Sequence, residues 1–168
     1  MLTLQNKWSW QSHKPLLNGL LFQLNWFICI FYSDLAIAGT CVLIVLHQRY
    51  FVESHKEWYI ITLFSTIGFI VDFSWSLFGL VTFTTFPIWL FCLWISFACC
   101  LNHALLVFHQ RLPFLLVLTT VSIPINYYLG AKYTHTQFSE PVWLPLLFIT
   151  LFWIVLLRVF IPLLRKEH

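Results

Sequence analysis

The stretch 59-YIITLFSTIGFIVDFSWSLFGL-80 is long enough to cross a lipid bilayer, and it carries an aspartate, Asp72, near its middle. A helix that crosses a membrane needs about 20 mostly apolar residues. An acid at its centre costs roughly 2.5–3.5 kcal/mol, whereas each Leu, Ile, Phe or Val returns about 0.3–0.6 kcal/mol. Because apolar residues dominate this stretch, their gain offsets the cost of one acid. The sequence therefore predicts a transmembrane helix here.

Asp72 lies on a stripe of small and polar residues along this predicted helix. At helical spacing, Ser65, Gly68 and Asp72 share one face, whereas large side chains such as Ile67 and Ile70 occupy the remaining surface. In a membrane protein, a stripe of this kind is a contact face between helices or the wall of a cavity. We therefore expect Asp72 to point into the protein.

The composition indicates an integral membrane protein. Hydrophobic residues make up 60% of the 168 residues and aromatic residues 20%, whereas charged residues make up only 9%, too few to cover a soluble surface. The formal net charge of +3 is too small, and its basic residues are too scattered, to indicate a nucleic-acid partner.

The five cysteines all lie in apolar runs and show no metal-binding or redox spacing. They are therefore interpreted as small apolar side chains. From the sequence we expect no bound metal and no cofactor.

Apolar segments recur along the whole chain. They predict an all-α fold, a polytopic membrane protein in which residues 1–168 form a single domain of six transmembrane helices. The intervals between these segments are too short for a domain outside the membrane. The predicted helices cover residues 16–32, 35–51, 59–80, 87–108, 113–130 and 141–164.

The distribution of lysine and arginine predicts the orientation, because cytoplasmic loops retain these residues. With six crossings and a cytoplasmic N-terminus, only Lys132 lies outside, and Arg158 lies within a crossing. Both termini are then cytoplasmic. The remaining basic residues all fall on the cytoplasmic side: Lys7, Lys14, Arg49, Lys56, Arg111, Arg165 and Lys166.

Polar side chains inside the predicted crossings are the candidates for a substrate-binding site, because such residues are costly in a membrane and often functional. We expect Asp72 to line a cavity shared by helices one, three and five, without an ionic partner. The complete candidate set is Asp72, Gln23, Asn25, Asn126, Asn102 and His103.

A second group of polar residues lies nearer the cytoplasmic side: Asn18, Asn102, His103 and Arg158. These residues either form hydrogen bonds between helices or, in the case of His103, handle a proton or a substrate, since an imidazole titrates near neutral pH. Five further histidines lie at helix ends or in loops, and we expect them to be interfacial or solvated: His47, His55, His109, His135 and His168.

Four segments resemble a family of short bacterial inner-membrane proteins that is known only as a domain of unknown function. They are 22-FQLNWF-27, 68-GFIVDFSW-75, 93-LWISFACCLNHALL-106 and 124-PINYYLGA-131. The resemblance covers nearly the whole chain. It implies a multi-pass protein of the bacterial inner (plasma) membrane and, more loosely, an association with the modification of membrane lipids.

The leading functional hypothesis is a membrane protein that binds a small molecule or a lipid at a polar intramembrane site and either moves it or presents it to a partner. One alternative is an intramembrane lipid-modifying enzyme, although the sequence has no G-x-S-x-G, H-E-x-x-H or P-loop motif. Another is a non-catalytic subunit of a complex for membrane-lipid modification or transport. Membrane lipid is thus an expected partner, and a second membrane protein is a further one.

Overall fold

A computed structural model describes residues 2–101, 103, 104 and 112–164. It is 81% helical, which confirms the all-α prediction in its coarse form. The six α-helices in these residues are α1 (Leu2–Phe31), α2 (Ala36–Tyr50), α3 (His55–Leu77), α4 (Ile88–Leu101), α5 (Leu112–Tyr133) and α6 (Trp143–Leu164).

The N-terminus of α3 lies four residues before the predicted one. Ser54 precedes the helix, and its hydroxyl oxygen accepts a hydrogen bond from the backbone N–H of Lys56 at 3.3 Å. Together with Glu57, Ser54 forms the S-x-x-E pattern of a capping box, which starts a helix by pairing its first free N–H groups. The predicted boundary followed hydrophobicity and missed this signal.

The C-terminus of α3 lies three residues before the predicted one, for a local reason. Gly79 has a φ of 68°, a conformation that glycine adopts without steric cost. The N–H of Gly79 donates to the carbonyl of Ser76, and the N–H of Leu80 donates to the carbonyl of Trp75. These two bonds form a Schellman motif, which satisfies the last carbonyls of the helix and ends it.

The chain divides into two compact units, of which the first comprises residues 1–71 and 87–107 and the second residues 72–86 and 108–168. In the first unit, α1 and α2 pack against α4. Its core contains Leu43, Ile61, Ala98 and Cys99, with Trp58 packed against it. Four of the five cysteines are buried as expected, and Cys41 is exposed.

The second unit contains α5 packed against α6 and a short antiparallel ribbon. Its strands are β1 (Val81–Phe83) and β2 (Thr136–Phe138), with Thr82 opposite Gln137. Both strands lie in intervals between the predicted helices, at 81–86 and 131–140. Because three-residue strands show too little alternation to be recognised in a sequence, the ribbon depends on the pairing of two distant loops.

The burial pattern of α3 confirms the predicted stripe. Ser65, Gly68 and Asp72 are buried, whereas Ile67 and Ile70 are exposed. Large apolar side chains are also exposed on α1, α2, α5 and α6, with Val45 as one example. The polar side of α3 thus faces inward and its apolar side outward.

Two helical segments among the described residues are long and apolar enough to cross a membrane: His13–Phe31 of α1 and the whole of α3. Two such segments support membrane association only weakly, because core helices of soluble proteins and N-terminal signal sequences have the same properties. All six crossings therefore stay a prediction.

Candidate functional site

Two imidazoles meet one carboxylate in the first unit. His47 Nε2 lies 3.0 Å from Glu57 Oε1, and His103 Nε2 lies 2.7 Å from the same oxygen. His47 is 1% exposed and Glu57 is 6% exposed. We call these three residues the His–Glu–His cluster. Its burial corrects the expectation that His47 is interfacial or solvated. His47 lies near the end of a helix, but the packing of the helices covers it.

Each member of the His–Glu–His cluster comes from a different part of the first unit. His47 lies in the last turn of α2, and Glu57 in the first turn of α3. His103 lies two residues beyond the end of α4, where its backbone N–H donates to the carbonyl of Cys100. Ser54 thus begins the helix whose first turn carries Glu57, and Glu57 Oε2 accepts a hydrogen bond from the backbone N–H of Glu53 at 3.5 Å.

The surroundings of the cluster are aromatic and largely buried. The buried ring of Phe51 stacks on His47, with 5.6 Å between ring centroids, and lies 5.6 Å from the ring of His103. On another side, the Nδ2 group of Asn18 lies 3.4 Å from His47 Nδ1 and donates to the carbonyl of Cys99. The carbonyl oxygen of the Asn18 side chain is buried and has no hydrogen-bond partner.

This geometry permits two kinds of chemistry. A carboxylate only accepts hydrogen bonds, so each imidazole that bonds to it does so through an Nε2–H group, and the cluster can hold and exchange protons. Alternatively, one ring nitrogen of each histidine and one carboxylate oxygen of Glu57 lie within 4.8 Å of one another, so the three residues could ligate a metal ion.

Asn25 forms a different contact within the first unit. Its Nδ2 group donates to Thr40 Oγ1 at 3.0 Å and to the hydroxyl of Ser96. These bonds join α1 to α2 and α4. Gly39 lies so close that a Cβ atom there would be 2.6 Å from Asn25 Oδ1. Asn25 therefore connects three closely packed helices.

The second unit holds Asp72 in a chain of hydrogen bonds. The Nε1–H group of Trp153 donates to the hydroxyl of Tyr127 at 2.7 Å, and that hydroxyl in turn donates to Asp72 Oδ1. The chain runs from α6 through α5 to α3. Because the Tyr127 hydroxyl both accepts and donates, the two bonds polarise one another and orient the Asp72 carboxyl group.

Trp75 supplies an unpaired donor in the same unit. It lies three residues after Asp72 on α3, so the two side chains lie on the same side of the helix. The Trp75 ring packs edge-on against Phe152, with 5.3 Å between centroids. Its Nε1–H group is buried and has no hydrogen-bond partner. Because a buried N–H group without a partner is costly, a ligand that carries a hydrogen-bond acceptor would bind favourably beside it.

The predicted candidates that the structure describes have different surroundings and partners. Gln23 is exposed, and Asn126 is exposed with its amide bonded to the Ser122 carbonyl of its own helix. Asn25 bonds to Thr40 and Ser96, whereas Asp72 accepts from Tyr127. Asn102 lies outside the described residues. Helical spacing predicted the helix face on which each residue lies and its depth in the membrane. It did not identify the hydrogen-bond partner of any of these residues.

The structure also describes three members of the polar group predicted nearer the cytoplasmic side, here called the predicted layer: Asn18, His103 and Arg158. Asn18 and His103 do lie near one residue, His47, but Arg158 is exposed on α6. Glu57 and His47 were missing from the predicted layer. The signal that could have identified Glu57 is the capping box, since it places the acid inside α3 rather than in a solvated loop.

Tyr127 was missed as the partner of Asp72, although it belongs to the segment 124-PINYYLGA-131 that carried the family resemblance. Its neighbour Tyr128 is exposed. Sequence position does not show which of two adjacent tyrosines faces inward, because that depends on how α5 is rotated about its axis.

Comparison with known proteins gives one match. A family model described as "Protein of unknown function (DUF2878)" matches residues 15–159. Comparisons with curated proteins and with solved structures find no match. The matched range includes the His–Glu–His cluster and the Asp72 chain of hydrogen bonds.

Proposed function

Since the chain belongs to the DUF2878 family of unknown function, we propose that it is a multi-pass protein of the bacterial inner membrane. Its six helices cross the membrane and leave both termini in the cytoplasm. We further propose that it binds a small molecule or a lipid head group at Asp72 and either moves the ligand or presents it to a partner.

The distribution of side chains supports the membrane assignment. Leu77 is 78% exposed and Val155 is 62% exposed, whereas Asp72, Asn18 and Asn25 are buried. Soluble proteins rarely expose apolar side chains along several helices. In lipid this arrangement is favourable, because hydrocarbon surrounds the apolar faces while the polar groups pair internally. The shorter apolar segments Ile88–Leu101 of α4 and Trp143–Leu156 of α6 also suit a lipid environment.

The binding proposal rests on Asp72 and Trp75, which lie on the same side of α3. Asp72 is 4% exposed and is oriented by Tyr127, and the Nε1–H group of Trp75 is buried without a partner on the same side of α3. A ligand with one donor and one acceptor would complement these two groups. A hydroxylated lipid head group or a small polar metabolite has this chemistry.

Native mass spectrometry of the purified protein tests this function. We expect the wild-type protein to retain a non-covalent ligand from a bacterial membrane. Asp72→Asn and Trp75→Phe each remove one polar interaction and should raise the dissociation constant of the ligand roughly tenfold, which corresponds to about 1.4 kcal/mol and lowers the retained fraction. Tyr128→Phe is the matched control, because this exposed tyrosine should not affect binding.

The folded state of each variant is checked by size-exclusion chromatography in detergent. If Asp72→Asn and Trp75→Phe fold and retain the same species as the wild type, the two residues are structural and the binding proposal is wrong. The same conclusion follows if the wild-type protein carries no species that Asp72→Asn lacks.

A further inference from the structure

We propose that the His–Glu–His cluster binds a divalent first-row transition-metal ion through His47 Nε2, Glu57 Oε1 and His103 Nε2. Ligands in a tetrahedral site are about 3.3–3.6 Å apart, since each lies about 2.0–2.2 Å from the ion. The two ring nitrogens already lie 3.0 Å and 2.7 Å from Oε1. These two separations would have to increase by about 0.3–0.9 Å, through movements of the side chains, to admit the ion.

The donor set selects the class of ion. Two imidazole nitrogens and one carboxylate oxygen suit Zn²⁺ and Fe²⁺, whereas Mg²⁺ and Ca²⁺ prefer oxygen ligands throughout. Three protein ligands also leave a coordination position for water or another small ligand. His103 is 12% exposed at its side chain, more than His47 or Glu57, so an ion would reach the cluster most easily beside this residue.

Charge favours a cation at this place. A buried carboxylate is costly unless a positive charge or several hydrogen bonds accompany it. With both imidazoles neutral, the cluster carries a net negative charge inside the first unit. A divalent ion would compensate this charge while using the same three atoms.

Asn18 is a separate observation that fits a metal ligand at His47. A histidine that binds a metal through Nε2 carries its proton on Nδ1, and that N–H group nearly always has an acceptor. The Asn18 amide lies beside His47 Nδ1, and the same amide holds a buried carbonyl oxygen without a partner. As the amide stands, its Nδ2 group faces Nδ1 and donates to the Cys99 carbonyl, so metal binding requires the amide to rotate. That rotation brings the oxygen towards the Nδ1–H group and gives up the bond to Cys99.

This inference does not depend on the proposed ligand site, because it concerns residues of the first unit only. The binding of a metal and the binding of a ligand at Asp72 are measured separately, so either proposal can fail without the other. The alternative for the cluster is a hydrogen-bonded triad that holds protons but no ion.

Zinc binding by the full-length protein in detergent tests the proposal. The protein is purified with a tag that lacks histidine, stripped with EDTA, dialysed against Zn²⁺ and analysed by mass spectrometry for metal content. We expect about one zinc ion per chain. Glu57→Gln still accepts hydrogen bonds and His103→Gln still donates one, but each loses a ligand. Both should lower zinc affinity at least tenfold.

The matched control is His55→Gln, because His55 is an exposed histidine two residues before Glu57. It should bind zinc like the wild type. Asn18→Ala should weaken binding about 10–100-fold by removing the acceptor for Nδ1–H. A hydrogen-bonded triad alone predicts no difference in zinc content between the wild type and Glu57→Gln, and this result would overturn the proposal. Equal loss in His55→Gln would also overturn it.

A second measurement keeps the test informative if the ligand variants do not fold. Co²⁺ bound to two nitrogens and an oxygen in a protein site produces visible absorption bands, and zinc should raise the unfolding temperature of the wild-type protein. If the stripped wild-type protein shows neither the cobalt spectrum nor the zinc-dependent rise, the cluster does not bind these ions.

Discussion

Gly68 lies where α3 comes closest to Trp94. A Cβ atom at position 68 would lie 2.2 Å from Cε3 and 2.3 Å from Cδ2 of the indole ring. Non-bonded atoms of two residues do not approach one another so closely, and the rigid indole ring cannot move a single atom out of the way. The glycine on the predicted stripe is therefore required by packing in the first unit.

At this scale we predict that Gly68→Ala lowers stability by about 1–3 kcal/mol, because the added methyl overpacks the contact with Trp94. Gly19→Ala is the control, since its Cβ would meet only Ala104 at an ordinary 3.5 Å. This second change should be neutral or slightly stabilising, because alanine favours the helix. Thermal unfolding in detergent measures both, and equal stability of the two variants would contradict the packing argument.

Asn25 shows how a single polar residue can be structural although the sequence marks it as a candidate for binding. Its Nδ2 group reaches the hydroxyls of Thr40 and Ser96 on two other helices. Small and hydroxylated residues of this kind commonly join helices in membranes. The bonds of Asn25 therefore favour a structural role.

At the scale of elements, the ends of α3 are determined by nearby residues, whereas the ribbon is determined by the pairing of distant segments. The ends of α3 follow from Ser54 and Gly79, which act within a few residues of the chain. The ribbon instead joins two segments that are far apart in the sequence, with Val81 opposite Phe138 and Phe83 opposite Thr136. Its register can therefore be tested by covalent linkage.

We predict that Thr82→Cys combined with Gln137→Cys forms a disulfide in the purified protein under mild oxidation. Both side chains are exposed, and opposite residues in an antiparallel ribbon have Cα atoms about 4.5–5.5 Å apart, within the range of a disulfide. The exposed Cys41 is first replaced by serine. Peptide mapping without reduction identifies the link.

The control for the ribbon is Thr82→Cys combined with Ser139→Cys, which lies two residues out of register. That pair should link much more slowly, because diagonal positions are about 7–8 Å apart. Equal linkage of both pairs would show that the register is wrong.

For the whole molecule, the proposal to test is a chain that crosses the membrane six times. Six crossings with cytoplasmic termini put β1 and β2 outside and the His–Glu–His cluster near the cytoplasmic side. The distribution of lysine and arginine and the exposed apolar helix faces support this arrangement. The two long apolar helical segments alone do not distinguish it from fewer crossings.

Reporter fusions in a bacterial host test the topology. Alkaline phosphatase should be active when fused after Thr84 and inactive when fused after Glu53 or at the C-terminus, because the enzyme folds only outside the cytoplasm. A fluorescent protein at the C-terminus should give the opposite signal. An active phosphatase at the C-terminus would place the tail outside and refute the six-crossing arrangement.

The sequence by itself determined the helical class and the inward face of α3. Apolar side chains at helical spacing select a helix and its buried side, so the burial of Ser65, Gly68 and Asp72 was predictable. The start of α3 was predictable as well, from the Ser54 capping box. Each of these features depends on residues within one or two turns of one another.

Only the tertiary structure decided which polar groups meet. Glu57 lies 10 residues from His47 and 46 from His103, and Tyr127 lies 55 residues from Asp72. Helical periodicity specifies the face on which a side chain lies but not the helix opposite it, and adjacent residues such as Tyr127 and Tyr128 differ only in the rotation of α5. Because these contacts follow from the packing of separate helices, both candidate sites became visible only in the folded chain.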